Sequence, residues 1–463
     1  MLEEREREAM EESREKRLGT APLGKLIFQL ALPGIMAQLI NVLYNMVDRM
    51  YIGHMPETGA TALTGLGVCL PIIVLISAFS AFAGMGGAPL AAIQLGKGDK
   101  NRAEKILGNA TTMLITCSVV LTIVFGFFKE PILYAFGASP ETIGFALDYI
   151  NIYLVGTISV QLALGLNTYI SCQGNAKIAM FSVLIGAVLN IVLDPIFIFG
   201  LDMGVKGAAL ATIISQTVSA IWVVRFLLSK KSVIRIKWEN MKPDWKIIGM
   251  VCALGISPFV MQSTEALVTI VLNSGLQEYG GDLYVGSLTI LQSVMQLTVV
   301  PVNGMTQGVQ PVISYNYGAG NFDRVKKTFK IVLIADLAVT VIACLLTQFI
   351  PGVFASMFTD EAPLIALVEE VMPIFFAGIW IFGVQMACQS TFMGMGQAKV
   401  SLFLALLRKV ILLIPLAMIL PKFFDVRGIY YAEPVADIVA AVTTGVVFLL
   451  MSRKLLKGKM IDK

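Results

Sequence analysis

The sequence predicts an all-α polytopic membrane protein: twelve transmembrane helices in two six-helix lobes, related by a pseudo-twofold axis along the membrane normal. Three observations predict it. The 463 residues are 56% hydrophobic and only 14% charged, where an average soluble domain carries about 25% charged residues. Apolar runs of 20 or more residues recur from Leu26 to Met451, each long enough to cross ~30 Å of hydrocarbon as a helix. The chain also repeats itself at one common shift. The runs are too long and too uniform for the alternating, roughly ten-residue strands of a membrane barrel. Helices, which satisfy their backbone polar groups internally, remain.

The expected spans are 26–50, 60–86, 103–128, 142–169, 178–200, 205–228, 247–275, 282–310, 325–350, 364–394, 399–420 and 428–452. Lys and Arg placement orients them. With both termini cytoplasmic, the inner segments hold 27 basic residues and the outer loops only 5 (Arg49, Lys129, Lys206, Lys422 and Arg427). The reverse orientation inverts that bias. A multi-pass protein of the cell (inner) membrane is expected, with the lipid bilayer as its surroundings. Met1 to Arg17 is dense in Glu and Arg, unlike the apolar core of a signal peptide. Cys69, Cys117, Cys172, Cys252, Cys344 and Cys388 lack metal-ligand or disulfide spacing and read as packing residues.

The repeat is specific. Pro89, Gly96, Gly98, Arg102 and Lys105 recur as Pro311, Gly318, Gly320, Arg324 and Lys327, all displaced by 222. The same shift carries Phe136 to Phe358, Gly156 to Gly378, and Gly174, Ala176 and Lys177 to Gly396, Ala398 and Lys399. One shift at separated places indicates duplication. Six helices per copy bring both copies into the membrane in the same sense. The expected domains are a cytoplasmic tail at 1–25, a first lobe at 26–228, a basic linker at 229–246, a second lobe at 247–452 and a tail at 453–463.

An ionised group at mid-membrane costs at least about 2.5–3.5 kcal/mol, so each one calls for a reason. The first half offers Asp48 on the first helix, Asn190 and Asp194 on the fifth, and Thr212 on the sixth. Asn190 and Asp194 are four apart and share a helix face. Two carboxylates, an amide and a hydroxyl form an all-oxygen set suited to a hard cation such as Na⁺, or to proton exchange. The plainer reading makes Asp48 a solvated interfacial residue and Asp194 a packing polar group.

The second half carries Glu265, and also Glu433 and Asp437, again four apart. Glu433 stands where the repeat, shifted by 221, has Thr212, so the lobes differ chemically. Glu265 reads either as a substrate or cation group or as the partner of Arg408 or Lys409. Met36, Met261, Met295 and Gln385 join Glu265 as the candidate substrate set, methionine serving plastic cavities and ordinary gap-filling alike. Asp148, Asp336, Glu369 and Glu370 read as helix-end or packing polar groups. Pro33, fifteen residues before Asp48, is a candidate bend. A single histidine, with no HExxH, GxSxG or Walker-type motif, gives no enzyme signature and calls for no cofactor.

LALPG with VLYNMVDRMYIG, PLAAIQLGKGD with PVISYNYGAGN, QGNAK with MGQAK, and LNIVLDPIFIF together resemble the multidrug and toxic compound extrusion transporters. The resemblance covers nearly the whole chain; that superfamily also holds lipid-linked sugar flippases. It implies two six-helix lobes, a central cavity, and Na⁺- or H⁺-driven export of cationic lipophilic compounds by alternating access of a monomer, without nucleic acid. The branch typified by the DNA-damage-inducible F protein implies a cation site at Asp48, Asn190, Asp194 and Thr212, with Pro33 as its bending proline. Other branches have an aspartate on the tenth helix, where this chain has only Gln385 and Gln389. The alternative is a lipid-linked saccharide flippase on the same fold, which would call for a cationic cavity. With Arg49, Lys105, Lys206, Lys326, Lys327, Lys330 and Lys399 counted among the flanking segments, only Arg225, Arg408 and Lys409 are basic within the spans, so an acidic interior is expected.

Overall fold

The computed structural model describes residues 17–56, 58–359 and 361–456, and among them it contains helices and no strand. The expected tail before residue 17 and the last seven residues lie outside the described residues. Among the described residues, ten helices are long and apolar enough to cross a membrane, and two bent pairs raise the number to twelve. In order they are α1 (Leu23–Gly53), α2 (Gly59–Gly96), α3 (Lys100–Ala135), the pair α4 (Ile143–Val155) and α5 (Thr157–Cys172), α6 (Ala176–Pro195) and α7 (Gly204–Leu228). Then come α8 (Trp245–Gly280), α9 (Asp282–Gly318), α10 (Phe322–Phe349), the short α11 (Pro351–Ser356), and the pair α12 (Ala362–Phe375) and α13 (Phe382–Gly394). Last are α14 (Ala398–Leu406) with α15 (Ile414–Ile419), joined by a π-helical stretch at Leu407–Leu413, and α16 (Pro421–Leu455).

The bent spans show the duplication in three dimensions. The fourth breaks by 59° at Gly156, and the tenth by 47° around its repeat mate Gly378. A Cβ at Gly156 would lie 2.4 Å from Ile213, and one at Gly378 would lie 2.7 Å from the Cα of Pro434. Ile213 and Pro434 are themselves repeat mates, displaced by 221. Each break therefore depends on a residue small enough for the last span of its half, α7 or α16, to close against it. The freed carbonyls are answered alike: the Thr122 hydroxyl donates to the Leu154 carbonyl at 3.1 Å and the Cys344 thiol to that of Phe376 at 3.7 Å.

The chain forms two compact units. One consists mainly of Met36–Phe259; the other takes Pro22–Ile35 and the chain from Val260 onward. Thus α1 and α8 each contribute to both units, with Pro33 in the second and Asp48 in the first. The first unit's core gathers Ile52, Leu66, Ile72, Ile76, Phe125 and Tyr149. The second is centred on Leu272, Leu291, Val371, Phe375, Phe376 and Tyr430, and a further cluster stacks Phe329 on Phe448 with centroids 4.2 Å apart. Large apolar residues elsewhere on the spans, such as Phe127, Val155, Phe349 and Leu450, point outward, as a lipid-facing surface requires.

The basic linker is held to the first unit. Buried Glu104 pairs with Lys237 at 2.5 Å, and Asn109 accepts from the Asp244 amide at 2.7 Å. The Gln173 side-chain oxygen accepts from the Val233 amide at 2.7 Å. All six cysteines are free thiols.

Candidate cation site

Asp48, Asn190, Asp194 and Thr212 come together inside the first unit. Asn190 Nδ2 donates to Asp194 Oδ1 at 3.1 Å and reaches Thr212 Oγ1 at 3.4 Å. The Asp48 and Asp194 carboxyl groups lie within hydrogen-bonding reach of each other. Burial is deep: Asp48 is 8% exposed, Asn190 2% and Asp194 0%. Asp48 Oδ1, Asn190 Oδ1 and Asp194 Oδ2 are nonetheless buried without a hydrogen-bond partner among the described residues. Three unmatched oxygen acceptors, two on the paired carboxyls and one on the neighbouring amide, make an arrangement that a proton or a small hard cation completes.

Local sequence explains the convergence. Asn190 and Asp194 are one turn apart on α6, and Pro195 ends that helix, passing into a π-helical turn at Ile196–Gly200. Two glycines let α7 close on it antiparallel. A Cβ at Gly186 would sit 2.5 Å from Ser219 Oγ, and one at Gly207 would sit 2.7 Å from the Phe197 carbonyl. Between these contacts, Thr212 faces Asn190. Beside them lies a cavity of about 30 Å³ lined by Asn41, Tyr44, Asn167, Asn190, Thr212 and Gln216, among others. That volume holds a water or two. Gly207→Ala should lower the stability of the purified protein by about 1–3 kcal/mol, because backbone must move to admit the methyl. Gly67→Ala, with nothing within 4 Å of the new carbon, should show no such loss in the same thermal melt.

The second unit is built differently. Arg408 Nε donates to Asp437 Oδ1 at 2.5 Å and Arg408 Nη2 to Glu433 Oε1 at 2.6 Å, and the guanidinium lies 4.8 Å from the Phe382 ring centroid. Lys409, the next residue, binds the Glu265 carboxylate directly and also donates to the Met261 carbonyl at 3.0 Å. The π-helical stretch Leu407–Leu413 presents both cations. The expectation of carboxylates with little basic compensation therefore does not hold here. Glu265, Glu433 and Asp437 each touch a cation, because consecutive basic residues on one helix reach acids on two others.

The other candidates are scattered. Met295 packs against the second core, Gln385 is buried there with Oε1 unpartnered among the described residues, and Met36 is an exposed residue of the first unit. Asp148 pairs with Lys206 at 3.4 Å and Glu370 with Arg427, at exposed positions. Asp336 is 1% exposed, with neither oxygen partnered among the described residues.

The MatE family profile matches residues 33–196 and 258–419. The chain belongs to the MatE family. A curated MatE relative, "Multidrug export protein MepA" of Staphylococcus aureus (strain N315), is 24% identical over 435 residues, spanning 94% of this chain and 95% of the relative. The protein of the same name from Staphylococcus haemolyticus (strain JCSC1435) is 24% identical over 418 residues, covering 90% and 91%. A crystal structure of MATE in the straight conformation superposes with a TM-score of 0.89 at 23% identity, covering 95% of this chain and 98% of that one. An outward-facing multidrug resistance MATE family transporter of the MOP superfamily gives 0.88 at 23%, with the same coverage. These likenesses establish the fold, an all-α multi-pass membrane protein, and MatE membership makes the chain a transporter rather than an enzyme.

Sequence reasoning missed several groups around this MatE chain's buried carboxyl pair. The Tyr149 side chain lies beside Thr212, and that of Tyr44 beside Gln216. Tyr44 had a signal, standing four residues before Asp48 and so on its face. Tyr149 had none: it stands on another span, far from Thr212 along the chain.

Proposed function

We propose that this MatE protein is a secondary active antiporter of the cytoplasmic membrane, exporting cationic lipophilic compounds in exchange for Na⁺ or H⁺. Both termini are cytoplasmic, and alternating access moves a monomer between its states. The carrying observation is the set of three unpartnered buried oxygens on Asp48, Asn190 and Asp194, which gives a coupling ion a place inside one unit. The MepA relatives, named as multidrug export proteins, support drugs as the cargo. The saccharide flippase reading is disfavoured, because Arg408 and Lys409 are matched by three carboxylates and are not free to hold a pyrophosphate.

The test is transport in proteoliposomes under an imposed Na⁺ or pH gradient. One gradient should drive ethidium transport and the other should not. A potential of about 100 mV supplies ~2.3 kcal/mol per charge, or roughly 40-fold accumulation of a neutral compound per ion exchanged. Ethidium movement indifferent to both gradients would remove the antiport reading.

A further inference from the structure

Glu265, Glu433 and Asp437 bring three negative charges to the second unit's cluster, and Arg408 and Lys409 bring two positive ones. The cluster is one positive charge short. Asp437, 1% exposed, still has Oδ2 without a partner among the described residues. The shortage opens outward at one point. The Glu265 side chain is 66% exposed while that of Lys409 is 11% exposed. Glu265 stands near the middle of a 36-residue helix, where an exposed carboxylate faces water rather than hydrocarbon. Lys409 also lies within electrostatic range of Glu433, so it has a second carboxylate to turn to.

We propose that Lys409 is a resident competitor for the substrate: a monovalent cation reaches Glu265 by displacing the lysine, which swings to Glu433 while Arg408 remains on Asp437. This rests on the reading of the chain as an exporter of cations. With the guest bound, three carboxylates face three positive charges and the cluster is neutral. A neutral compound supplies no charge and gains nothing by the exchange, so the tethered ammonium filters for cations and keeps the site ion-paired between cargoes. The swing draws on the rotamer freedom of the lysine's four-carbon stem.

The experiment is equilibrium binding of tetraphenylphosphonium, a permanent cation, and of neutral triphenylphosphine oxide to the purified full-length protein. Lys409→Gln should bind tetraphenylphosphonium at least tenfold more tightly than the wild type, with triphenylphosphine oxide unchanged. Lys409→Arg, which restores a resident charge, should bind the cation at least tenfold more weakly than Lys409→Gln. Lys409→Met gives the same reading if the glutamine variant does not fold. Equal cation affinity in wild type and charge-removed protein would overturn the proposal, as would equal gains for both probes, which would mean the pocket had merely widened. A wild type that binds no cation would overturn the export reading itself.

Discussion

Asp194→Asn and Asp48→Asn should each abolish ion-coupled export while leaving the protein folded and inserted. The amide keeps the size of the carboxyl and removes its charge, so packing around α6 and α7 is conserved. Two unit charges about 4 Å apart interact by about 4 kcal/mol at an effective dielectric of 20, roughly three decades in affinity for a bound cation. The loss of cation affinity should be larger for Asp194, which is fully buried and bonded by Asn190, than for Asp48. Gradient-driven ethidium transport should fall to background, with the melting midpoint near that of the wild type. Export at the wild-type rate by either variant would move the coupling site elsewhere.

The largest expected effect on stability belongs to Arg408. Arg408→Met leaves Glu433 and Asp437, 8% and 1% exposed in their side chains, without their shared counter-ion. Breaking a buried pair by removing one partner costs about 3–5 kcal/mol, a large part of most proteins' net stability. The triple variant Arg408→Met, Glu433→Gln, Asp437→Asn should recover most of that loss, since it is the isolated charge and not the missing bond that is costly. Thermal melts of both variants in detergent check this. A single variant as stable as wild type would mean that water, not Arg408, satisfies the two acids.

Patterns that depend on neighbours along the chain were legible in the sequence. The helical spans followed from runs of apolar residues, and the Asn190–Asp194 face from a spacing of four. The breaks at Gly156 and Gly378 coincide with glycines that the repeat had already aligned. Partner choice across long separations was not legible. Glu265 lies 144 residues from Lys409, and nothing local decides whether a basic residue on the eleventh span reaches the seventh or the twelfth. Adjacent side chains on a helix point in different directions, so Arg408 meets one neighbouring helix and Lys409 another. Tyr149 was hidden for the same reason, its neighbour Thr212 lying on a distant span.

The paired breaks also bring two unlike residues to equivalent places. Gly156 lets α7 close at Ile213, next to Thr212, and Gly378 lets α16 close at Pro434, next to Glu433. Duplication thus supplied one position twice, and the two copies now carry a hydroxyl and a carboxylate. The second half answers its carboxylate with a guanidinium tied to the chain by covalent bonds. In the first half the corresponding place is left to a guest, and under the proposed exchange that guest is the ion whose coming and going drives the cycle.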